Sequence, residues 1–302
     1  MAELFVYGLI LGSIISLGAI GITLLYGILR FGNFAHGDYM TLGGYIAYLM
    51  VSVALPRIGL GGSRLGPLSF GFDMLIAILV AVLGMAAVAI LADRLVYRRL
   101  RERGSALILM AMASLGVAII VQSIVYLGWG SAPRFYSTAI QRAWFLPLGI
   151  KLKADQVFIF AVAILLVVSV HLFLKRTRMG KAMRATADNM ELARVTGIDT
   201  ERVVAWTWAI GAGLAAVAGV LMGIEAQLMP VMGWTFLIPL FAATILGGIG
   251  NPYGAFLGAM IVGICQQMST AWLSPAYKPA IAFIIMIIVL LVRPRGLLGR
   301  SA

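Results

Sequence analysis

Residues 4–29 form an apolar run without one charged side chain, and eight further apolar stretches follow it, at 39–55, 72–93, 105–128, 155–174, 203–224, 235–250, 253–273 and 277–292. About 20 apolar residues in a helix cross a bilayer core. This repetition leaves few folds open. The chain is 62% hydrophobic and 11% charged, against roughly 25% charged residues in a soluble domain, so a soluble core could not bury its apolar surface. In hydrocarbon the backbone must pair its own N–H and C=O groups, which leaves helices and closed barrels. A barrel would show ~10-residue segments of alternating polarity, whereas these runs are continuous. The sequence therefore predicts an all-α, polytopic integral membrane protein with about 8–9 membrane segments. The pairs 4–29/39–55 and 235–250/253–273 are each joined by a tight glycine-containing break, so some segments are expected to be broken or half-spanning. The first run is too long for a signal-peptide core and lacks a basic start, which predicts a retained segment.

The formal net charge of +12 raises the question of nucleic acid, but the positions of the charges answer it. Arg30, the arginines of 94–103 (Arg94, Arg98, Arg99, Arg101, Arg103), the basic residues of 175–202 (Lys175, Arg176, Arg178, Lys181, Arg184, Arg194, Arg202) and the tail (Arg293, Arg295, Arg300) hold 16 of the 23 basic residues, so most of the charge sits in three loops between apolar runs and in the tail. Short loops rich in Lys and Arg stay in the cytoplasm. The basic excess is thus a topology signal. Alternation then places 56–71, 129–154, 225–234 and 274–276 outside, with an external N-terminus and an internal C-terminus. Segment 129–154 combines Trp129, Phe135, Tyr136, Trp144 and Phe145 with Pro133 and Pro147. It reads either as an interfacial aromatic belt or as a docking surface for an external protein.

Catalytic chemistry has little to work with. The only Gly-Lys pair, Gly180-Lys181, is followed by Ala182 and offers no hydroxyl for magnesium, so there is no phosphate-binding loop. The sequence holds no His or Cys set with metal spacing and no nucleophile elbow. Cys265 stands alone in an apolar run and reads as a small buried residue, and His171 reads as structural. No catalytic residue, metal ligand or cofactor of this chain is expected.

Two breaks carry the polar interest. The stretch FGNFAHGDYM holds Asn33, His36, Gly37 and Asp38 between two apolar runs, and LGGIGNPYGAFLGAMIVG holds Gly247, Gly248, Gly250 and Asn251. Aligning Gly32-Asn33 with Gly250-Asn251 makes each a glycine-rich break that opens a new apolar helix, which suggests a two-fold internal repeat. Gly-interrupted apolar segments in corresponding positions of two halves point to a translocation pathway, because irregular backbone at membrane depth survives only when buried in protein or facing water. Asn33 and Asp38 are expected to cap the helix that follows, and Asp38 to complement its positive end. Capping in an ordinary cytoplasmic turn is the competing reading of the motif. His36 is the residue that capping does not explain.

Residues 175–202 read KRTRMGKAMRATADNMELARVTGIDTER. The pattern predicts a helix from Lys181 to Val195, stopped at Gly197, with Asp199 or Thr200 starting the next. Held between two spans, such a helix suits the reception of force from a partner. A solvated basic loop is the plainer alternative.

The loop MGKAMRATADNMELARVTGID, the motif NFAHGD and the stretch LGGIGNPYGAFLGA, in that chain context, resemble the permease subunits of bacterial ATP-binding-cassette importers of the high-affinity branched-chain amino acid type. The resemblance covers essentially the whole chain. It implies a single transmembrane permease domain over 1–302, in the bacterial inner membrane, working with a second homologous permease subunit, two ATPase subunits that bind ATP-Mg, and a periplasmic substrate-binding protein. It makes 181–197 the helix that couples to the ATPase, with Gly180, Ala187, Glu191 and Gly197 as its contact residues, although Ala187-Asp188-Asn189 departs from the Glu-Ala-Ala signature of many importer permeases. It also makes 129–154 a contact for the binding protein. Related permeases share these motifs for urea, short amides or other amino acids. A rival of another class is a channel, since Asn33-Phe34-Ala35 and Asn251-Pro252-Tyr253 are similar to the paired half-helices of water channels; the basic loop 175–202 and the number of spans speak against it.

Overall fold

Each apolar run becomes a helix. The computed structural model describes residues 1–57, 59, 65–137, 143–146, 149–293 and 295–299; Pro147 and Arg300 lie outside the described residues. In chain order the helices are α1 (Ala2–Leu29), α2 (His36–Arg57), α3 (Phe72–Glu102), α4 (Leu107–Trp129) and α5 (Ala154–Arg176). Two short helices follow, α6 (Arg178–Asp188) and α7 (Met190–Val195). Then come α8 (Thr200–Glu225), α9 (Met232–Gly247), α10 (Pro252–Ala271) and α11 (Pro275–Val292). Among the described residues, eight of these are long and apolar enough to cross a membrane, and α9 is shorter. At 1.5 Å per residue α9 is about 24 Å long, less than the hydrocarbon core. α2 and α3 each loosen into a π turn, at Met50–Ala54 and Asp93–Tyr97.

Three expectations need correction. Segment 94–103 is not a loop: α3 runs on to Glu102, because Arg, Leu and Glu are good helix formers and Arg98 pairs with Glu102 one turn later (2.8 Å). The expected single helix 181–195 is two. Asn189 leaves the helical region (φ −153°) and its side chain accepts from the Leu192 N–H, ending α6 and capping α7. The aromatic segment carries a small antiparallel hairpin, β1 (Trp144–Leu146) with β2 (Ile150–Leu152). Other local signals hold. Gly197 stops α7 with φ +86°, and Asp199 caps α8 by accepting from the Arg202 N–H (3.0 Å).

The two ends of the bundle differ in character. Arg30, just past α1, donates to the Ala187 carbonyl (2.7 Å), and Arg101 of α3 reaches Glu201 of α8 (3.8 Å), so the basic segments gather at one end. At the opposite end Tyr7 donates to the Lys151 carbonyl (2.9 Å), Ser69 donates to Asp155 (2.5 Å), and Arg134 pairs its backbone with Leu228. α1 and α8 form the buried axis, while α3, α5 and α11, among the most apolar helices, are the most exposed. Lipid rewards an apolar outside, and close packing inside rewards small residues. Accordingly Gly8 and Gly12 of α1 face the backbone of α10 at Gly263, Ile264 and Met260, and Gly258 of α10 faces Ala243 of α9.

Candidate functional site

The chain leaves α1 through Arg30, the one described non-glycine residue with a left-handed backbone (φ 60°). It then climbs back into the protein instead of turning at the surface. Phe31 packs on Tyr97 (ring centroids 5.4 Å apart), Phe34 packs on Phe241 (5.4 Å), and the Phe34 N–H donates to Ser114 Oγ of α4 (3.0 Å). α2 begins at His36, whose ring lies against α1 and α8. A methyl group on Gly21 would stand 2.8 Å from His36 Cε1 and Nε2, and 2.8 Å from the Gly211 carbonyl oxygen. Gly21 lies about 12 Å from the end of α1 at 1.5 Å per residue, so His36 sits well inside the bundle. The break is therefore re-entrant, and the reading as an ordinary surface turn falls.

A second helix start meets it from the other side. α9 begins at Met232, after a loop at the opposite end, and Gly233 faces Gly37 so closely that a methyl on either would collide with the carbonyl group of the other. Thr41 Oγ accepts from the Gly233 N–H (2.7 Å) and so caps α9. Two helix N-termini, each with its positive dipole end, thus meet in the interior.

The polar groups here are buried, and several of their atoms are unpaired. Asn33, His36 and Asp38 are 1%, 0% and 2% exposed. Asn33 Oδ1 accepts from the Ala35 N–H (3.1 Å) and from Tyr97 OH (3.5 Å). Asn33 Nδ2, Asp38 Oδ1 and the Tyr45 hydroxyl have no hydrogen-bond partner among the described residues, while the His36 ring faces the Gly18 backbone and the Tyr39 hydroxyl faces that of Tyr97. The expected capping by Asp38 does not occur, because its carboxylate lies inside the first turn and Ala35 occupies the cap position. Asn33 makes a local turn bond instead of a cap. Buried polar groups are paired in the great majority of cases, so this concentration at one point marks a place kept for something other than stability.

Beneath the break an aromatic wall leads to the basic end. Tyr97 stacks on Trp208 (4.9 Å, 13° between planes), and Trp208 Nε1 donates to the buried Asp93 (2.8 Å). Arg101 clasps the same carboxylate with two nitrogens (2.6 and 3.2 Å). Sequence reading did not single out Tyr39, Thr41, Asp93, Tyr97, Ser114, Trp208 or Gly233. For Gly233 a signal exists: Pro230 and Gly233 punctuate the apolar sequence as the first break does.

The other predicted break lies elsewhere. Gly248 and Gly250 adopt positive φ (104° and 86°), and Asn251 Oδ1 accepts from the N–H groups of Tyr253 (3.0 Å) and Gly254 (3.3 Å). Its Nδ2 donates to the Leu298 carbonyl, while Leu297 and Leu298 bond back to Leu246 and Gly247. The Gly250 N–H meets Thr23 Oγ1 of α1 (2.9 Å), and Gly247 packs on Gly254 of α10. Gly247, Gly248, Gly250 and Asn251 therefore form a satisfied turn pinned by the C-terminal tail, apart from Asn33, His36, Gly37 and Asp38. The spatial partner of the first break is the start of α9, because tertiary contact, not local sequence likeness, decides which helix ends meet. The half-helix pairing expected for a channel is likewise wrong in its partners, and the Gly37–Gly233 contact leaves no passage between the starts that do meet.

In the basic loop Gly180 is buried against the Leu174 backbone and lets α6 fold onto the end of α5. Ala187 is half-buried, with its carbonyl taken by Arg30. Glu191 and Gly197 are exposed. Beside them Leu192 and Val195 are 61% and 85% exposed, an outward apolar pair. Cys265 is only half-buried, and His171 pairs Nδ1 with Tyr253 OH (2.7 Å), in keeping with a structural part.

The family described as "Branched-chain amino acid transport system / permease component" matches residues 4–290. The chain is 35% identical to the high-affinity branched-chain amino acid transport system permease protein LivH of Salmonella typhimurium, over 99% of this chain and 98% of the relative. It is 35% identical to LivH of Escherichia coli K12 over the same shares. To the corresponding protein BraD of Pseudomonas aeruginosa it is 34% identical, over 98% of this chain and 94% of the relative. No solved structure gives a significant match.

Proposed function

Since the chain belongs to the family of permease components of branched-chain amino acid transport systems, we propose that it is the membrane subunit of an ATP-binding-cassette importer that passes branched-chain amino acids inward from a periplasmic binding protein. The observation that carries this reading from the geometry is the meeting of two buried helix starts at Gly37 and Gly233, ringed by the buried polar groups of Asn33, His36 and Asp38. A static bundle gains nothing from such groups. A protein that must exchange one helix arrangement for another, and let a polar molecule by, has a use for both.

The roles follow from the two ends. The basic end faces the cytoplasm, so the N-terminus is periplasmic and the C-terminus cytoplasmic in the bacterial inner membrane. α6 and α7 present Glu191, Leu192, Val195 and Gly197 to the partner ATPases, which carry ATP-Mg; this chain binds no nucleotide. ATP closes the ATPase pair, the coupling helices move, and the pathway between this chain and a second homologous permease opens outward. Hydrolysis resets it. The segment 129–154 receives the binding protein. Relatives named for branched-chain amino acids favour that substrate over urea, short amides or other amino acids.

Vesicles decide it. The chain reconstituted with a second permease, the ATPases and the binding protein should accumulate labelled leucine only with ATP inside the ATPase compartment. Flux through the chain alone, without ATP, would replace the importer by a channel.

A further inference from the structure

At the end opposite the basic loops a cavity of about 370 Å³ opens between five helices. Its apolar floor is Ile10, Leu11 and Ile14 of α1 with Met222 of α8. Its polar side holds two lysines and one glutamate: Lys153 just before α5, Lys278 of α11 and Glu225 at the end of α8. These charges are not spent on one another at contact distance. Gln156, 5% exposed, donates to Glu225 Oε1 (2.9 Å), and the Lys278 ammonium donates to Gln267 Oε1 (2.7 Å). Two glutamines thus hold the carboxylate and one ammonium on the cavity wall.

We propose that this cavity takes the zwitterionic end of a free α-amino acid, its carboxylate between Lys153 and Lys278 and its ammonium at Glu225, with an aliphatic side chain laid on Ile10, Leu11 and Ile14. The inference rests on the import reading above and gives it a first station on the outer side, separate from the break at His36. The chemistry is selective in kind. Charged hydrogen bonds are the stronger ones, and a site built for both an ammonium and a carboxylate leaves a charge unpaired when either is missing from the ligand. A cavity of this size is in the ordinary range for a small ligand.

The test uses the assembled transporter in proteoliposomes. Glu225→Gln and Lys278→Gln should each lower ATP-driven leucine uptake by about tenfold or more, the loss of one charged hydrogen bond, while the complex still co-purifies and retains its basal ATPase rate. In a Cys265→Ser background, Leu11→Cys should react with a water-soluble thiol reagent, and leucine should slow that reaction where 4-methylpentanamide, which lacks the α-ammonium and the carboxylate, does not. Wild-type uptake in both charge variants, or labelling that leucine leaves unchanged, would overturn the site while leaving the import reading intact. If a charge variant fails to assemble, the cysteine protection decides by itself. A wild-type complex that takes up no branched-chain amino acid overturns the import reading and this site together.

Discussion

Gly37 shows how much one missing methyl group decides. Its Cα faces the Gly233 carbonyl, and neither backbone can retreat without moving a whole helix. Overpacking a filled core costs roughly 1–3 kcal/mol, and a clash with backbone belongs at the upper end of that range. Gly37→Ala is therefore expected to lower thermal stability of the purified complex by about 3 kcal/mol, read as a fall in its melting temperature, and to abolish uptake. An unchanged melting temperature would mean that the two helix starts are not locked together. Asp38 is the opposite kind of residue. Its buried Oδ1 has no partner, and a buried unpaired polar group is destabilising. Asp38→Asn keeps the shape and removes the charge. It should leave the melting temperature equal or higher while cutting leucine uptake about tenfold or more, the trade expected where function is retained at the expense of stability. Full uptake in that variant would remove Asp38 from the pathway. The identities of Asn33, His36, Gly37 and Asp38 were legible as an oddity in a greasy chain. That Asp38 does not cap was not legible, because capping depends on which residue stands at the helix boundary, and that residue is Ala35.

At the scale of elements, the basic loop was legible in outline and misjudged in detail. The stop at Gly197 and the start at Asp199 are local hydrogen-bond chemistry, and local chemistry can be read along the chain. Asn189 offered the same signal in the middle of the expected helix. Its side chain competes with the helical backbone and caps α7. The split turns Leu192 and Val195 outward as an exposed apolar pair. Exposed apolar pairs in an otherwise charged surface fit burial against a partner. Leu192→Asp with Val195→Asp should leave the permease folded and membrane-inserted but reduce co-purification of the ATPase about tenfold or more, the scale of loss typical when a central apolar contact is removed. Normal ATPase recovery on a pull-down would move the docking surface elsewhere, and Glu191→Lys would then be expected to leave coupling intact as well.

The whole molecule is built inside out relative to a soluble domain. α2 and α8, less hydropathic than α3, α5 and α11, lie in or beside the core with the glycine-rich α1, while α3, α5 and α11 face outward. This arrangement predicts a gradient in backbone protection. Hydrogen exchange in detergent should be slowest in the central turns of α1 and α8, and faster at the half-buried π turn Met50–Ala54 of α2 and in α6 and α7, since local opening follows buried contact. Uniform protection across α1, α6 and α7 would contradict a buried axis with a loosely held α6–α7 surface.

The membrane class, the positions of the apolar helices and the gathering of positive charge at one end followed from the sequence alone. Each is a property of a single segment in its solvent: an apolar run must pair its own backbone in lipid, and lysines and arginines mark the side on which a loop stays. Which helix ends meet belongs to the tertiary structure. Gly32-Asn33 and Gly250-Asn251 look alike along the chain, yet one is drawn up beside Gly21 and Gly211 and the other is tied down by the tail. The choice of partner comes from packing among α1, α8 and α9, and packing is a sum over residues far apart in sequence, so no local motif could carry it.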